Sequence, residues 1–288
     1  MGFTRRYEAP WRKAFELLRG GAIGPLQMMQ IRAVIPYHVF FHRWHRRRAW
    51  SGGALNDKSS HHCDVLNWFA ESECERLSAF GGRSGIFKPD PDAPARCLEC
   101  ERECPYRTRA SRSRIRQDEL DRQGDSWINA ADVADRPDNC VYLPGADIYD
   151  HAICQFAYAN GVKASLFWCI YGPSAEDQET LELVGSSGRI VLTRHSASLD
   201  IVSEYGKKRE TIECKGPEFG SSHFGADLEL IREMRRFCEG RLPVVSAVDG
   251  YRATRMIEAI NLSIDAGGAR IMSSDLPRAE LDFREQSI

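Results

Sequence analysis

Three β-hairpins in succession, between residues 147 and 214, limit what this chain can fold into more than any other feature. The stretch "DIYDHAICQFAYANGVKASLFWCIYG" holds two β-forming runs joined by Asn160-Gly161. A two-residue hairpin turn needs positive φ at its centre, and Asn and Gly both accept it. "ETLELVGSSGRIVLTR" repeats the pattern around Ser187-Gly188, and "SLDIVSEYGKKRETIEC" turns at Gly206. Successive hairpins predict a mostly antiparallel sheet. In the first pair the apolar residues Ile153, Phe156, Leu166, Trp168 and Ile170 alternate imperfectly. A sheet apolar on both faces needs a cover on each, so helices are expected on one side and a second subunit on the other.

Helical periodicity supplies the helices. Residues 8–19 carry Pro10 near the start and Trp11, Phe15 and Leu18 at helical spacing, and "RGGAIGPL" stops the run. "GFTRR" reads as a short strand and "LQMMQIRAVIP" as another, so the chain opens strand–helix–strand, an α/β unit with one crossover. A helix is expected over 57–70, a strand at "CERLSAFGG", and two further helices near 223–239 and 247–266. The polar stretch 83–138 reads as an insertion, mobile, with one exposed helix around 113–122. The class is therefore α+β: a large, mostly antiparallel sheet flanked by helices and preceded by a short α/β unit.

Composition narrows the function. With 42% apolar and 28% charged residues the chain is an ordinary globular protein, and a net charge of −2 gives no case for binding nucleic acid or a membrane surface. No apolar run approaches the ~20 residues of a membrane span. "MGFTRRYEAPWRK" lacks the apolar core of a signal peptide, so ten cysteines point to a reducing cytoplasm and to thiols or metal ligands.

The chemistry-bearing residues cluster in "SGGALNDKSSHHCDVLNWF", Ser51 to Phe69. Asp57, His61, Asp64 and Trp68 fall at i, i+4, i+7 and i+11, one face of a regular helix. Burying ionisable groups there is costly unless they are paired or functional. Two readings stand: Asp57 caps the helix and His61 is a satisfied core histidine, or His61 is a general base oriented by a carboxylate. Gly52 and Gly53 fit close approach of a ligand to the backbone. The loop "PYHVFFHRWHRRRAW" (36–50), which includes Trp44, is either a substrate- or phosphate-contacting loop or a solvated basic turn packed through its aromatics. Cys97, Cys100 and Cys104, spaced C-x2-C-x3-C, suit a tetrahedral zinc with Cys63, His62 or another residue as fourth ligand. An iron–sulfur cluster lacks a clear fourth cysteine nearby, and plain reduced thiols are the alternative.

The segments "GFTRRY", "RKAFELLRGGAIGPL", "SGGALNDKSSHHCDVLNW", "CVYLPGADIYDHAICQFAYANGVKASLFW", "LVGSSGRIVL", "SSHFGADLELIREM" and "SAVDGYRATRMIEAI" together resemble the glucose–fructose oxidoreductase / inositol dehydrogenase (Gfo/Idh/MocA) family. They span nearly the whole chain in family order. The resemblance implies an NAD- or NADP-dependent oxidoreductase acting on sugar- or cyclitol-like polyols. Asp57 and His61 match a motif whose helix faces the nicotinamide and assists proton transfer. His223 and Asp227 match a histidine–acidic pair that lines the substrate pocket, with Lys58, His62, Asp64 and Trp44 as further expected substrate contacts. His61 and His223 should then line one open depression.

The resemblance also implies what should precede these segments: a Rossmann domain with a Gly-rich phosphate loop and a Glu-Lys-Pro motif. Neither occurs here, and "GGRSG" (81–85) and "GSSG" (185–188) do not fit G-x-G-x-x-G opening a helix after a strand. Residues 1–35 accordingly read as the tail of a dinucleotide-binding domain, a remnant of a Rossmann unit, and 36–288 as the substrate and oligomerisation domain. The expected partners are a small polyol or sugar, a second copy through the sheet face, and a Rossmann domain on a separate chain. The chain should be inactive alone. The rival readings are a stand-alone binding or scaffold module of the same fold, and a metal-containing nucleic-acid binder built on "HRWHRRR", against which the net charge counts.

Overall fold

The hairpins form where their turns dictate, with Gly161 at φ +94° closing the first. The computed structural model describes residues 2–107, 138–216, 219–220 and 222–277. Strands β1 (Leu26–Val34), β2 (Cys74–Gly82), β3 (His151–Tyr158), β4 (Lys163–Cys169), β5 (Glu179–Gly185), β6 (Arg189–Thr193), β7 (Ser198–Ser203), β8 (Lys208–Glu213) and β9 (Ile271–Met272) make one sheet. Its order is β8-β7-β6-β5-β1-β4-β3-β2-β9. The first strand of the chain thus lies near the middle of the sheet. It pairs parallel with β4 and antiparallel with β5, while the other pairings are antiparallel.

Register sorts the two faces. Ala79, Cys154, Leu166, Ile31, Leu181, Leu192 and Leu199 form one continuous row across seven strands, each fully buried. The neighbouring row points the other way: Phe80 pairs with Ile153, Ile153 with Phe167, and Phe167 with Arg32. Phe80, Ile153 and Phe167 are 64%, 50% and 43% exposed, so one apolar face is open.

The α-helices among the described residues are α1 (Ala9–Arg19), α2 (Arg48–Ser51), α3 (Ser60–Ala70), α4 (Ala226–Cys238) and α5 (Ala247–Asp265), of which α1, α3 and α5 pack on the buried face. α5 packs on β2 and against α3, and its start carries a capping box between Ser246 and Asp249. α1 lies over β6 and β7 with Trp11 wholly buried.

The opening segment departs from the sequence reading. Thr4–Tyr7 is a 3-10 turn, where a strand was expected. A strand would send Arg5 and Arg6 to opposite faces; the turn lets both reach inward to different carboxylates. Arg5 Nε donates to Glu179 Oε1 at 2.5 Å, and Arg6 donates twice to Asp64, at 2.9 and 2.7 Å. Phe3, Tyr7 and Trp11 belong to the same hydrophobic core as the sheet. The helix expected at 113–122 lies outside the described residues.

Candidate functional site

The helix expected over 57–70 does not begin as an α-helix. Leu55–Ser59 is a π-turn that runs into α3. A π-turn is wider than an α-turn, and such irregularities frequently mark functional sites. It breaks the single stripe inferred from spacing. Asp64 and Trp68 face Arg6, whose guanidinium lies 5.5 Å from the Trp68 ring, while Asp57 faces the loop before α2.

Asp57 sits between two bases. Its Oδ2 is 3.2 Å from Lys58 Nζ, and its Oδ1 is 4.0 Å from His45 Nε2. The Lys58 ammonium lies over Tyr37 and Phe40, 5.0 and 5.7 Å from the ring centres. His45 lies between Phe40, edge-on at 4.7 Å, and Trp44, tilted at 4.2 Å. The loop 36–50 is therefore joined to the π-turn, and aromatic rings wall a half-exposed carboxylate and ammonium. Gly52 and Gly53 serve the turn. A side chain on Gly52 would meet Asn56 at 2.8 Å, so this glycine accommodates protein atoms where a ligand was expected, while Gly53 is called for by its φ of +84°.

His61 is partly buried beside this group, its ring edge-on to Phe3 at 5.3 Å and its Nδ1 buried without a partner. Burial, with the nearby Arg5 charge, pushes its pKa down to about 2, so the ring is neutral. The expected gain in basicity from a neighbouring carboxylate is outweighed by desolvation and by cations.

His62 and Asp64 are sealed. His62 is wholly buried, with Nε2 3.4 Å from Glu179 Oε1 and 3.4 Å from Arg5 Nη2. Although burial opposes it, the Arg194 and Arg5 guanidiniums hold Glu179 well below the usual carboxylate range. Arg194 also donates to Glu8 at 2.8 and 2.7 Å. Burial lifts Asp64 to about 6 against the pull of Arg6. Neither side chain has surface for a ligand, and this corrects their expected place among the substrate contacts.

His223 and Asp227 pair with each other, Nδ1 lying 2.8 and 3.0 Å from the two carboxylate oxygens. His223, Phe224 and Gly225 all have positive φ (48°, 54° and 88°), a strained run for two side-chain-bearing residues. Phe224 is held over the Arg194 guanidinium at 4.7 Å, which ties this segment to Glu179 and His62. The depression beside it, about 490 Å3, is lined by Tyr7, Arg12, Lys13, Phe224 and Arg232 among others, and by neither His61 nor His223.

Cys97, Cys100 and Cys104 share the wall of a small cavity of about 190 Å3 with Cys140. Backbone bonds from Cys97 to Asp138 and from Cys140 to Ala95 bring Cys140 there. Nothing in the spacing of the first three cysteines pointed to it. Among the described residues no group of three or more His, Cys, Asp or Glu side chains is arranged to hold a metal ion, so the zinc expectation is not supported. Cys63 is buried in α3, and His62 is committed to Glu179 and Arg5.

A dinucleotide's pyrophosphate needs a helix opening from a strand through a glycine-rich turn. Among the described residues no α-helix follows a strand directly: α3 follows the π-turn, α4 the strained 223–225 run, and α5 the cap at Ser246. These residues do not fit that group. No helix among them is long and apolar enough to cross a membrane.

Among the described residues, a nine-stranded sheet with a single parallel pair, helices against one face and a carboxylate at a π-turn define an α+β domain. The chain belongs to the GFO/IDH/MocA family, matching that family's C-terminal domain over residues 11–191. It is 31% identical over 205 residues to YteT of Bacillus subtilis (strain 168), an oxidoreductase by name, covering 66% of this chain and 47% of that protein. The chain thus spans about half the length of the curated relative it matches. Its fold is similar to an oxidoreductase from Agrobacterium radiobacter solved with NAD+, L-tartaric acid and magnesium (TM-score 0.64, 13% identity, 94% of this chain and 64% of that one). It is similar also to a levoglucosan dehydrogenase solved with NADH and levoglucosan (TM-score 0.65, 16% identity, 94% and 65%).

Proposed function

We propose that this chain is the substrate-binding and proton-handling part of an NAD(P)-dependent oxidoreductase acting on sugar-like polyols, cyclitols included. The observation that carries the reading is Asp57, held on a π-turn between Lys58 and His45 and walled by Tyr37, Phe40 and Trp44. Aromatic faces take the C–H side of a sugar ring, and a carboxylate can accept the hydroxyl proton of an alcohol. His61, neutral, orients the same hydroxyl, and His223 with Asp227 contributes from the start of α4. The relatives solved with NAD+ or NADH support the cofactor class.

The nucleotide is held by a domain outside these residues, in a longer form of the protein or on another chain. An exposed apolar stripe on α4 (Leu228, Ile231, Met234 and Phe237), continued by Leu242 and Val244, suits such a domain. The open sheet row Phe80, Ile153 and Phe167 suits a second copy of this chain. A content of ten cysteines fits the cytoplasm.

Calorimetry of the purified chain tests the reading. We expect weak, saturable binding of levoglucosan or myo-inositol, abolished in Asp57→Asn, and no micromolar binding of NADH. Tight NADH binding would remove the need for a separate nucleotide domain. Indifference to every polyol would favour a scaffold module.

A further inference from the structure

His45 lies outside the Asp57–His61 motif, yet it is the imidazole that faces Asp57. Its Nε2 is 4.0 Å from Asp57 Oδ1, while its ring is gripped by Phe40 and Trp44. The backbone is fixed to the π-turn through one hydroxyl: Ser51 Oγ donates to His45 O at 3.0 Å and accepts from Gly53 N at 2.9 Å. The other ring nitrogen, Nδ1, is buried without a partner.

That orphan decides the tautomer. A buried N–H without an acceptor is rarer and costlier than a buried lone pair without a donor. A neutral ring therefore keeps its single proton on Nε2, aimed at Asp57. The charged groups facing the ring are Asp57, Lys58 and Arg43, and burial, the largest influence, lowers its pKa. Lys58 Nζ lies 3.2 Å from Oδ2, and His45 Nε2 faces Oδ1 across 4.0 Å, a gap the side chains must close for the N–H to donate.

We infer that His45 is a positioning residue that orients the Asp57 carboxylate toward a bound hydroxyl. The inference rests on the role proposed above for Asp57, but its first test does not. Long-range ¹H–¹⁵N NMR of the full chain at pH 7 should show His45 as the neutral Nε2–H tautomer. Its titration midpoint should fall in Asp57→Asn, because the carboxylate favours the charged ring. An Nδ1–H tautomer, or a midpoint unchanged in Asp57→Asn, overturns the inference.

The second test uses levoglucosan as the probe. His45→Phe, which keeps the packing and loses the donor, should weaken binding about three- to tenfold. His45→Gln, which restores a donor at similar reach, should recover most of it. Equal loss in both variants, with the thermal midpoint lowered in both, would reduce His45 to a packing residue. If wild type ignores levoglucosan while the NMR result stands, the functional reading fails and the His45–Asp57 geometry survives.

Discussion

Asp57 and Asp64 lie within one short helical stretch, each beside histidines and cations, yet their surroundings differ in kind. Asp64 belongs to a mostly buried ion-pair lattice of two sets: Arg6 with Asp64 and Asp249, and beside it Arg5, Glu179, His62, Arg194 and Glu8. Asp57 has one close cation, one imidazole at 4.0 Å and open surface. The difference shows how a single helix carries both kinds of group. His62 and Asp64, after the π-turn, pair with Arg5 and Arg6 of the N-terminal segment, while Asp57 and Lys58, within it, keep open surface.

The sharpest break of that contrast is at Glu179. Glu179→Ala strands the Arg5 guanidinium in the core and removes one of the two carboxylates that Arg194 pairs with, and should cost about 3–5 kcal/mol. A urea-unfolding loss under about 1 kcal/mol would show that the lattice is dispensable. The next effect is a pH slope at Asp64. Its folded pKa, about 6, lies above the unfolded value of 3.8. Its contribution to stability is therefore complete at acid pH and lost as pH rises through about 6, at most about 3 kcal/mol. Asp64→Asn should abolish that slope, and chemical-unfolding curves between pH 4 and 7.5 would reveal a slope that persists.

The smallest expected stability change is at Asp57. Because this side chain is 37% exposed, Asp57→Asn should shift stability by less than about 1 kcal/mol while removing polyol binding. Destabilisation on the scale of Glu179→Ala would place Asp57 in the lattice and end the comparison. The open sheet face offers a separate measurement. Phe167→Lys in the exposed row should lower the mass seen by light scattering without lowering the melting point, and an unchanged mass would leave that face without a second copy.

The sheet was legible because hairpin turns are local chemistry. Asn160-Gly161 announces its φ requirement in two letters, and β3 to β8 formed about where the turns placed them. The position of β1 was not legible, since nothing in "LQMMQIRAV" says that its partners lie more than a hundred residues downstream. The 3-10 turn at Thr4–Tyr7 was missed because two adjacent arginines look solvated until Glu179 and Asp64 are brought to them. The helical-face argument placed Asp57 with Asp64 because it assumed 3.6 residues per turn, and the π-turn voids that assumption. His45 could not be singled out from its neighbours in "HRWHRRR", as its contact with Asp57 exists only in three dimensions. The family resemblance located the motif, but it did not separate the sealed His62 from the reachable Asp57.

The central place of β1 has a consequence for how the protein is made. On the ribosome, β1 emerges long before β4 and β5, so the middle of the sheet stays unbuilt until most of the chain has been synthesised. Loop closure of that length is slow, and the waiting strand is rich in Met, Ile and Val with both edges unpaired. Nascent chains stalled before Gly185 should therefore depend on chaperone cover, and release from it should coincide with emergence of the second hairpin.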